Sequence, residues 1–342
     1  LSSKSHWSKY YGSTPVLDSI TDIKYLIAED GEQVSPLYRE VLREGDLVAY
    51  ENPYALSLAF GVDPDFVYYD FDDAHDATPF ERWNRFITNM LGEKKTVKVF
   101  RKAKTDDIKY RNCDISMVVG HKKYTPEVEG SAATITYTLT AESAEMLYCY
   151  FPSEYPREIS MRVNGEGIGS FFANETFAIK QIGSFAPGEE ITISITLEKD
   201  DLYLATNETF FYYLDEAVFK SAMERLSASQ LRIESYTEDT FSGTIDVAEG
   251  QELIFTSLPY DKGWQITVDG EAVETVTVTD ALLAFRTTPG THTVEMRYRP
   301  DCVHYGLMLS GAGLVLFAAA WTTDALFARR KKKKDEAKEA AA

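Results

Sequence analysis

Nineteen consecutive residues near the C-terminus, YGLMLSGAGLVLFAAAWTT (305–323), carry no formal charge, and only Asp324 interrupts the apolar stretch before Phe327. At ~1.5 Å per residue, a helix over 305–327 extends roughly 34 Å, enough to cross a hydrocarbon core of about 30 Å. A buried helix of a soluble protein has a similar length, but these flanks fit a membrane span. Tyr298 and Tyr305 lie at one end and Trp321 at the other, where amphipathic rings favour the headgroup level. Arg329, Arg330, Lys331, Lys332, Lys333 and Lys334 follow without a break. Six such bases read better as a cytoplasmic stop than as a nuclear-localisation signal. The sequence therefore predicts one transmembrane helix at 305–327, a basic cytoplasmic tail at 328–342, and an extracytoplasmic body in front of them. Gly306 and Ser310, one turn apart, could seat a second helix closely, a weak signal.

This topology divides the charge. The 342 residues carry 35 bases and 54 acids, a formal net of -19. From Tyr305 onward there are 7 bases and 4 acids, which leaves the body 28 bases, 50 acids and a net of -22. A surface so acidic excludes a nucleic-acid binder that works through general basic charge. Hydrophobic and aromatic contents of 44% and 13% exclude a disordered acidic chain, and the length suits two or three compact units. The first residues, LSSKSHWSKYYGS, are polar and are no signal peptide. An outward-facing body needs translocation, which either the single C-terminal helix directs or membrane segments upstream of Leu1 do; the favoured expectation is the second, with an N-terminal membrane core missing and the present chain a fragment. Cys113, Cys149 and Cys302 are odd in number and widely spaced, so neither a zinc site nor a disulfide framework is indicated. A Cys113–Cys149 bridge and free buried thiols both remain open.

Along the body the hydrophobic period changes. DIKYLIAED (22–30) and DLVAYENPYALSLAFG (46–61) read as strands feeding a turn at Asn52-Pro53. Thr78-Pro79-Phe80-Glu81 is a capping box with proline at the first helical position, and Phe80, Trp83, Ile87 and Met90/Leu91 then recur on one face until Gly92. From about Asn112 the period is two. Ile135, Tyr137 and Leu139, and later Ile191, Ile193, Ile195 and Leu197, alternate with polar residues as in half-buried antiparallel strands. Leu214, Val218, Ala222 and Leu226 return to helical spacing. A second β unit then repeats the first in outline: a hairpin glycine is followed by a Pro-Gly turn, at Gly165 and Gly188 and again at Gly270 and Gly290. Short strands with regular turns point to β-sandwiches.

Chemistry is sparse. The histidines (His6, His75, His121, His292, His304) show no metal-binding spacing, no GxSxG elbow occurs, and Gly165-Glu166-Gly167-Ile168-Gly169 opens no helix as a dinucleotide loop must. No cofactor is expected. Asp70, Asp72, Asp73 and Asp76 form the densest acidic cluster. A solvated loop is the leading reading, with calcium binding or a catalytic carboxylate pair as alternatives. Trp264, after the Asp261-Lys262-Gly263 turn, is the best candidate for a partly exposed ring that stacks on sugar, against packing in the core. Sequons at Asn174 and Asn207 matter only in a eukaryotic secretory pathway, which nothing else indicates.

Five pieces in order, YYGSTPVLDSITDIKYLI (10–27), VAYENPYALSLAFG (48–61), TPFERWNRFITNMLG (78–92), LPYDKGWQITVDG (258–270) and PGTHTVEMRYRP (289–300), followed by the final helix and basic tail, resemble the C-terminal part of the bacterial YfhO family of multispanning membrane proteins. The resemblance covers nearly the whole chain. It implies a membrane glycosyltransferase of the GT-C kind, using a polyprenyl-phosphate sugar and acting on cell-envelope polymers such as lipoteichoic acid. Its catalytic acid would lie in an early loop among N-terminal membrane helices that are not in this chain, so no catalytic residue is carried over.

The expected architecture is mainly β: a mixed α/β segment (1–108), a β-sandwich (109–213), a linking helix (214–228), a second sandwich (229–300), the membrane helix and the tail. The expected role is an extracytoplasmic accessory region that positions a glycopolymer acceptor through Tyr54, Tyr260 and Trp264. The alternative is a membrane-anchored surface protein whose sandwiches bind glycan or protein without enzymatic activity. An anionic acceptor sits awkwardly on a -22 body unless cations bridge the two or a local basic patch is hidden in the net charge.

Overall fold

The computed structural model describes residues 13–71, 77–128, 130–151, 158–171, 179–197, 201–205 and 210–339. The protein is mainly β, built of antiparallel sheets, with a long apolar helix at its C-terminal end. Two five-stranded sheets share one plan. In the first the strand order is Glu166–Phe171, Ile159–Val163, Glu190–Leu197, Ala133–Thr140 and Asp107–Arg111. In the second it is Glu271–Val273, Trp264–Val268, Gly290–Tyr298, Thr240–Val247 and Leu231–Tyr236.

The repeat extends to individual hydrogen bonds. Asn164-Gly165 and Asp269-Gly270 both turn with positive φ at both positions, 49° and 84° in one and 53° and 83° in the other, the geometry of a two-residue hairpin. Asn164 donates its N–H to the Thr192 carbonyl and accepts the Thr192 N–H on Oδ1, both at 2.8 Å. Asp269 makes the same pair with Thr293, at 2.8 and 2.9 Å.

Each five-stranded sheet faces a four-stranded one. The first partner sheet orders Ile179–Gly183, Leu147–Tyr150, Phe211–Leu214 and Phe100–Lys102; the second orders Thr275–Val278, Leu282–Arg286, Leu253–Pro259 and Ala59–Val62. Ile135, Tyr137, Ile193 and Ile195 meet Leu147, Cys149 and Phe211 in one sandwich core. Ile245, Ile266, Val294 and Met296 meet Ala59, Ile254 and Phe285 in the other. The ranges drawn from sequence interlace in space. Ala59–Val62 completes the second sandwich by pairing with residues 253–256, and Phe100–Lys102 edges the first.

The four-stranded sheets are buried on both faces, which is why LYCY, FYYL, AFGV and LIFT are apolar runs and not alternating ones. Their second faces enclose a helical layer with its own core: Tyr148, Tyr212 and Phe100 from one side, Phe60, Phe255 and Ala284 from the other. Helix α1 (Pro15–Ile20) is capped by Thr14 and buries Val16 and Ile20. Helix α2 (Pro79–Met90) has the full capping box: Thr78 Oγ1 accepts the Glu81 N–H at 3.3 Å and Glu81 Oε2 accepts the Thr78 N–H at 3.0 Å. Phe80, Phe86, Ile87 and Met90 form its buried face, and Phe80 stacks on Tyr212 at 4.4 Å. Helix α3 (Glu216–Leu226) is capped by Asp215, and Phe219, Ala222, Met223 and Leu226 face the layer. Leu214, read from sequence as the first apolar position of this helix, belongs to the preceding strand, because Asp215 accepts the Val218 N–H and starts the helix after it.

Helix α4 (Asp301–Glu339) follows the body; within it residues 301–330 are long and apolar enough to cross a membrane, and the apolar window is not buried against the rest of the chain. Arg329 and Arg330 are exposed on it, and Lys331, Lys332, Lys333 and Lys334 continue its backbone. Two smaller three-stranded sheets flank the body, one of residues 25–51 and one of 113–126 with 202–205. Cys113 and Cys149 are free, buried thiols, and Cys302 is exposed on the first turn of α4. Burial pushes the Cys113 thiol up to about 11 and that of Cys149 higher still.

Candidate functional site

The residues singled out from sequence do not converge. Tyr54 lies at the edge of the helical layer, its ring 5.3 Å from Phe219 in an edge contact. Its N–H is held by Asn52 Oδ1, as the Asn52-Pro53 turn requires. Tyr260 and Trp264 share one loop at an end of the second sandwich. Tyr260 is 36% exposed, and Trp264 is half-buried, 5.0 Å from the Tyr298 ring. Asp70 of the acidic run is exposed, whereas Asp72, Asp73 and Asp76, like Asn174 and Asn207, lie outside the described residues. Among the described residues no group of three His, Cys, Asp or Glu side chains is arranged to hold a metal.

A concave site forms elsewhere, between α2 and the edge strand Phe100–Lys102. A cleft of about 700 Å³ is lined there by Asn84, Arg85, Thr96, Lys98, Lys102 and Tyr212, among others. Two local features build it. Met90 ends the helix, and the chain returns along it through residues 94–104, KKTVKVFRKAK, which hold six bases and no acid. Asn84, 6% exposed, then docks the strand: its Nδ2 donates to the Phe100 carbonyl and its Oδ1 accepts the Phe100 N–H, both at 2.8 Å. Asn84 thus makes the hydrogen bonds that a neighbouring strand would make, and the sheet edge is covered. Thr88 adds a second tie by accepting the Val97 N–H at 2.8 Å.

The charges around the cleft divide into held and free. Lys102 Nζ is 2.7 Å from Glu81, which raises the Lys102 pKa. Burial opposes ionisation of Glu81, but hydrogen bonds from Lys102 and Thr78 outweigh it and keep the carboxyl below its ordinary value. Arg101 turns to the far side, where Glu145, Glu142 and Asp215 surround it at 2.6, 3.3 and 3.4 Å. Arg85 and Lys98 are exposed and make no ion pair among the described residues. Two free cations beside an amide, a threonine and a tyrosine suit an anionic oxygen-rich ligand. The arrangement is one that can bind and position such a ligand. The basic run 94–104 is plain in sequence, but the acidic net charge of the body masks it.

A second cavity, of about 380 Å³, lies where α1 and α2 meet the second sandwich, with Phe71, Trp83 and Phe86 beside Asp70 and Asp280. Trp83, on the buried side of α2, thus lines this cavity.

The family profile described as "Bacterial membrane protein YfhO" matches residues 2–310. No curated protein matches the chain. Among solved structures, β-glucuronidase from Ruminococcus gnavus in complex with N1-substituted uronic isofagomine aligns at 9% identity and a TM-score of 0.22, over 52% of this chain and 35% of that one. The same organism's β-glucuronidase in a further crystal structure aligns at 10% identity and TM-score 0.22, over 51% and 34%. This chain thus matches about a third of the glucuronidases' length, and a likeness of that degree assigns nothing to it. The profile, by contrast, takes in the helical layer, both sandwiches and the start of α4, and the chain belongs to the YfhO family of bacterial membrane proteins.

Proposed function

We propose that this chain is the extracytoplasmic accessory region of a YfhO-like membrane glycosyltransferase, and that it positions a cell-envelope polymer such as lipoteichoic acid as acceptor. The observation that carries this reading is the cleft between α2 and residues 94–104, where Arg85 and Lys98 make no ion pair among the described residues, on a body of net charge -22. Those two cations would offer an anionic polymer a local basic surface despite the acidic net charge. The donor, a polyprenyl-phosphate sugar, and the catalytic residues belong to a membrane core outside this chain. The accessory region raises the rate by holding the acceptor near that core, which lowers the entropic part of the barrier and needs no catalytic group of its own.

The test is charge reversal at Arg85 and Lys98 in the full-length protein. Each charge-assisted hydrogen bond contributes about 1.5 kcal/mol or more, so the double variant should raise the apparent KM for polymer at least about tenfold and leave kcat nearly unchanged. Unchanged polymer glycosylation, with normal levels of the variant in membranes, would remove the cleft from the function.

A further inference from the structure

Beyond the glycosyltransferase reading, and independent of it, the way α4 leaves the body fixes what lies against the membrane. The last body residues are held rigidly. Tyr298 donates its N–H to the Asp239 carbonyl at 2.7 Å, and Arg299 donates to the Gly263 carbonyl at 2.8 Å. Gly263 is buried so closely against Pro300 that a Cβ there would stand 2.9 Å from the Pro300 Cα. Helix α4 begins at the next residue, Asp301. No flexible linker separates the second sandwich from the helix.

The uncharged run starts at Tyr305, six residues after Arg299. At ~1.5 Å per residue the hydrocarbon boundary is then roughly 9 Å from the Arg299–Gly263 hydrogen bond, within the depth of a headgroup layer. The end of the sandwich at that height consists of three turns: residues 236–240, residues 259–264, and residues 279–281, the last tied in by the Tyr260 N–H to the Ala281 carbonyl at 2.8 Å. Tyr236 is 76% exposed there, Tyr260 is 36% exposed, and Trp264 and Tyr298 form a half-buried pair between the turns.

We infer that this end of the second sandwich rests in the phospholipid headgroup layer, with Tyr236, Tyr260 and the Trp264–Tyr298 pair as an aromatic belt that the body supplies. Tyr and Trp gain at that depth by burying ring surface while their polar edges stay hydrated. The charged groups beside them, Glu238, Asp239, Asp261 and Asp280 against Lys262, Arg297 and Arg299, are mixed and slightly acidic, so contact rests on the rings and not on attraction to anionic lipid. Tyr260 and Trp264 thereby gain a lipid role in place of a sugar-stacking one. The inference requires α4 to lie in a bilayer and nothing of the enzyme.

The test uses the full-length protein in phosphatidylcholine nanodiscs, with an environment-sensitive fluorophore on Lys262→Cys in a Cys302→Ser background. The control carries it on Glu249→Cys, an exposed turn at the opposite end of the same strands. The expected result is a blue-shifted emission at 262, quenched by headgroup spin-labelled lipid, with a water-like and unquenched signal at 249. Tyr236→Ser with Tyr260→Ser, both surface changes, should cut the quenching at least about twofold, and replacing a third of the lipid with phosphatidylglycerol should not increase it. A water-like signal at 262 overturns the inference. So does a blue shift that lipid does not quench, because the end then meets protein.

Discussion

Asn84 joins α2 to the rim of the first sandwich, and its truncation tests the cleft and the fold together. In Asn84→Ala the Phe100 N–H and carbonyl lose their side-chain partners, each at 2.8 Å, at a residue that is 1% exposed. A buried backbone group left without a partner costs about 1–3 kcal/mol, so two cost roughly 2–6. Alanine returns about 0.5 kcal/mol of helix propensity. The net expectation is a loss of about 2–5 kcal/mol in urea denaturation. Hydrogen exchange over residues 97–103 should then accelerate by about 30-fold or more, since ~1.4 kcal/mol is a factor of ten in the opening equilibrium. Asn84→Asp adds a sign test. Its carboxylate still accepts the Phe100 N–H but faces the Phe100 carbonyl with a second acceptor; protonation restores a donor, so the variant should be less destabilised relative to wild type in acid than at neutral pH. A loss below about 0.5 kcal/mol with unchanged exchange at Phe100 would refute the claim that this side chain closes the sheet edge.

Other outcomes follow from single contacts. His292 Nδ1 lies 2.7 Å from Asp269, and this hydrogen bond, opposed by partial burial and aided by the Thr288 carbonyl, raises the His292 pKa above 6.5. The pairing therefore stabilises the fold fully below the unfolded value and is lost as pH rises through the raised one; His292→Gln should flatten that slope, read as Tm against pH. Thr78→Ala removes one half of the capping box and should cost about 1 kcal/mol by denaturant titration, with Thr78→Ser restoring most of it. A thiol reagent applied to the folded protein in detergent should modify Cys302 alone, and Cys113 and Cys149 only after unfolding; modification of Cys149 at the rate of Cys302 would contradict its burial. Gly61→Ala should destabilise by about 1–3 kcal/mol in thermal melts, because its Cβ would sit 2.7 Å from the Gln251 carbonyl oxygen and 2.9 Å from Ser229 Cβ.

Local signals in the sequence were strong where their cause is local. The capping box at Thr78 and Glu81, the Asn164-Gly165 hairpin and the alternation of Ile191 to Leu197 all depend on neighbours a few residues away, and each stands in the structure where periodicity put it. The doubly covered sheets were not legible. Ala59–Val62 carries no mark of its partner at residues 253–256, since an apolar run says only that both faces are buried, not by what. The cleft failed to show for the same reason: the α2 cap and the basic run 94–104 are each plain in sequence, but the hydrogen bonds from Asn84 that bring them together are tertiary. Trp83 reads from sequence as one residue of an amphipathic helix face, and only the fold places it beside a cavity.

The pairing of Ala59–Val62 with residues 253–256 also sets the order of events at synthesis. A ribosome adding ~5–20 residues per second needs about 10–40 s to travel from one strand to the other. Through that interval Phe60 and Val62 have no sheet to join, and the helical layer lacks the wall formed by Phe255 and Ala284. The second sandwich in turn closes only when Gly290–Tyr298 emerges, immediately ahead of the membrane helix. The first sandwich, whose strands all lie between residues 100 and 214, has its full set early, whereas the helical layer and the second sandwich mature late, and a chain cut short before residue 290 leaves the second sandwich without its central strand.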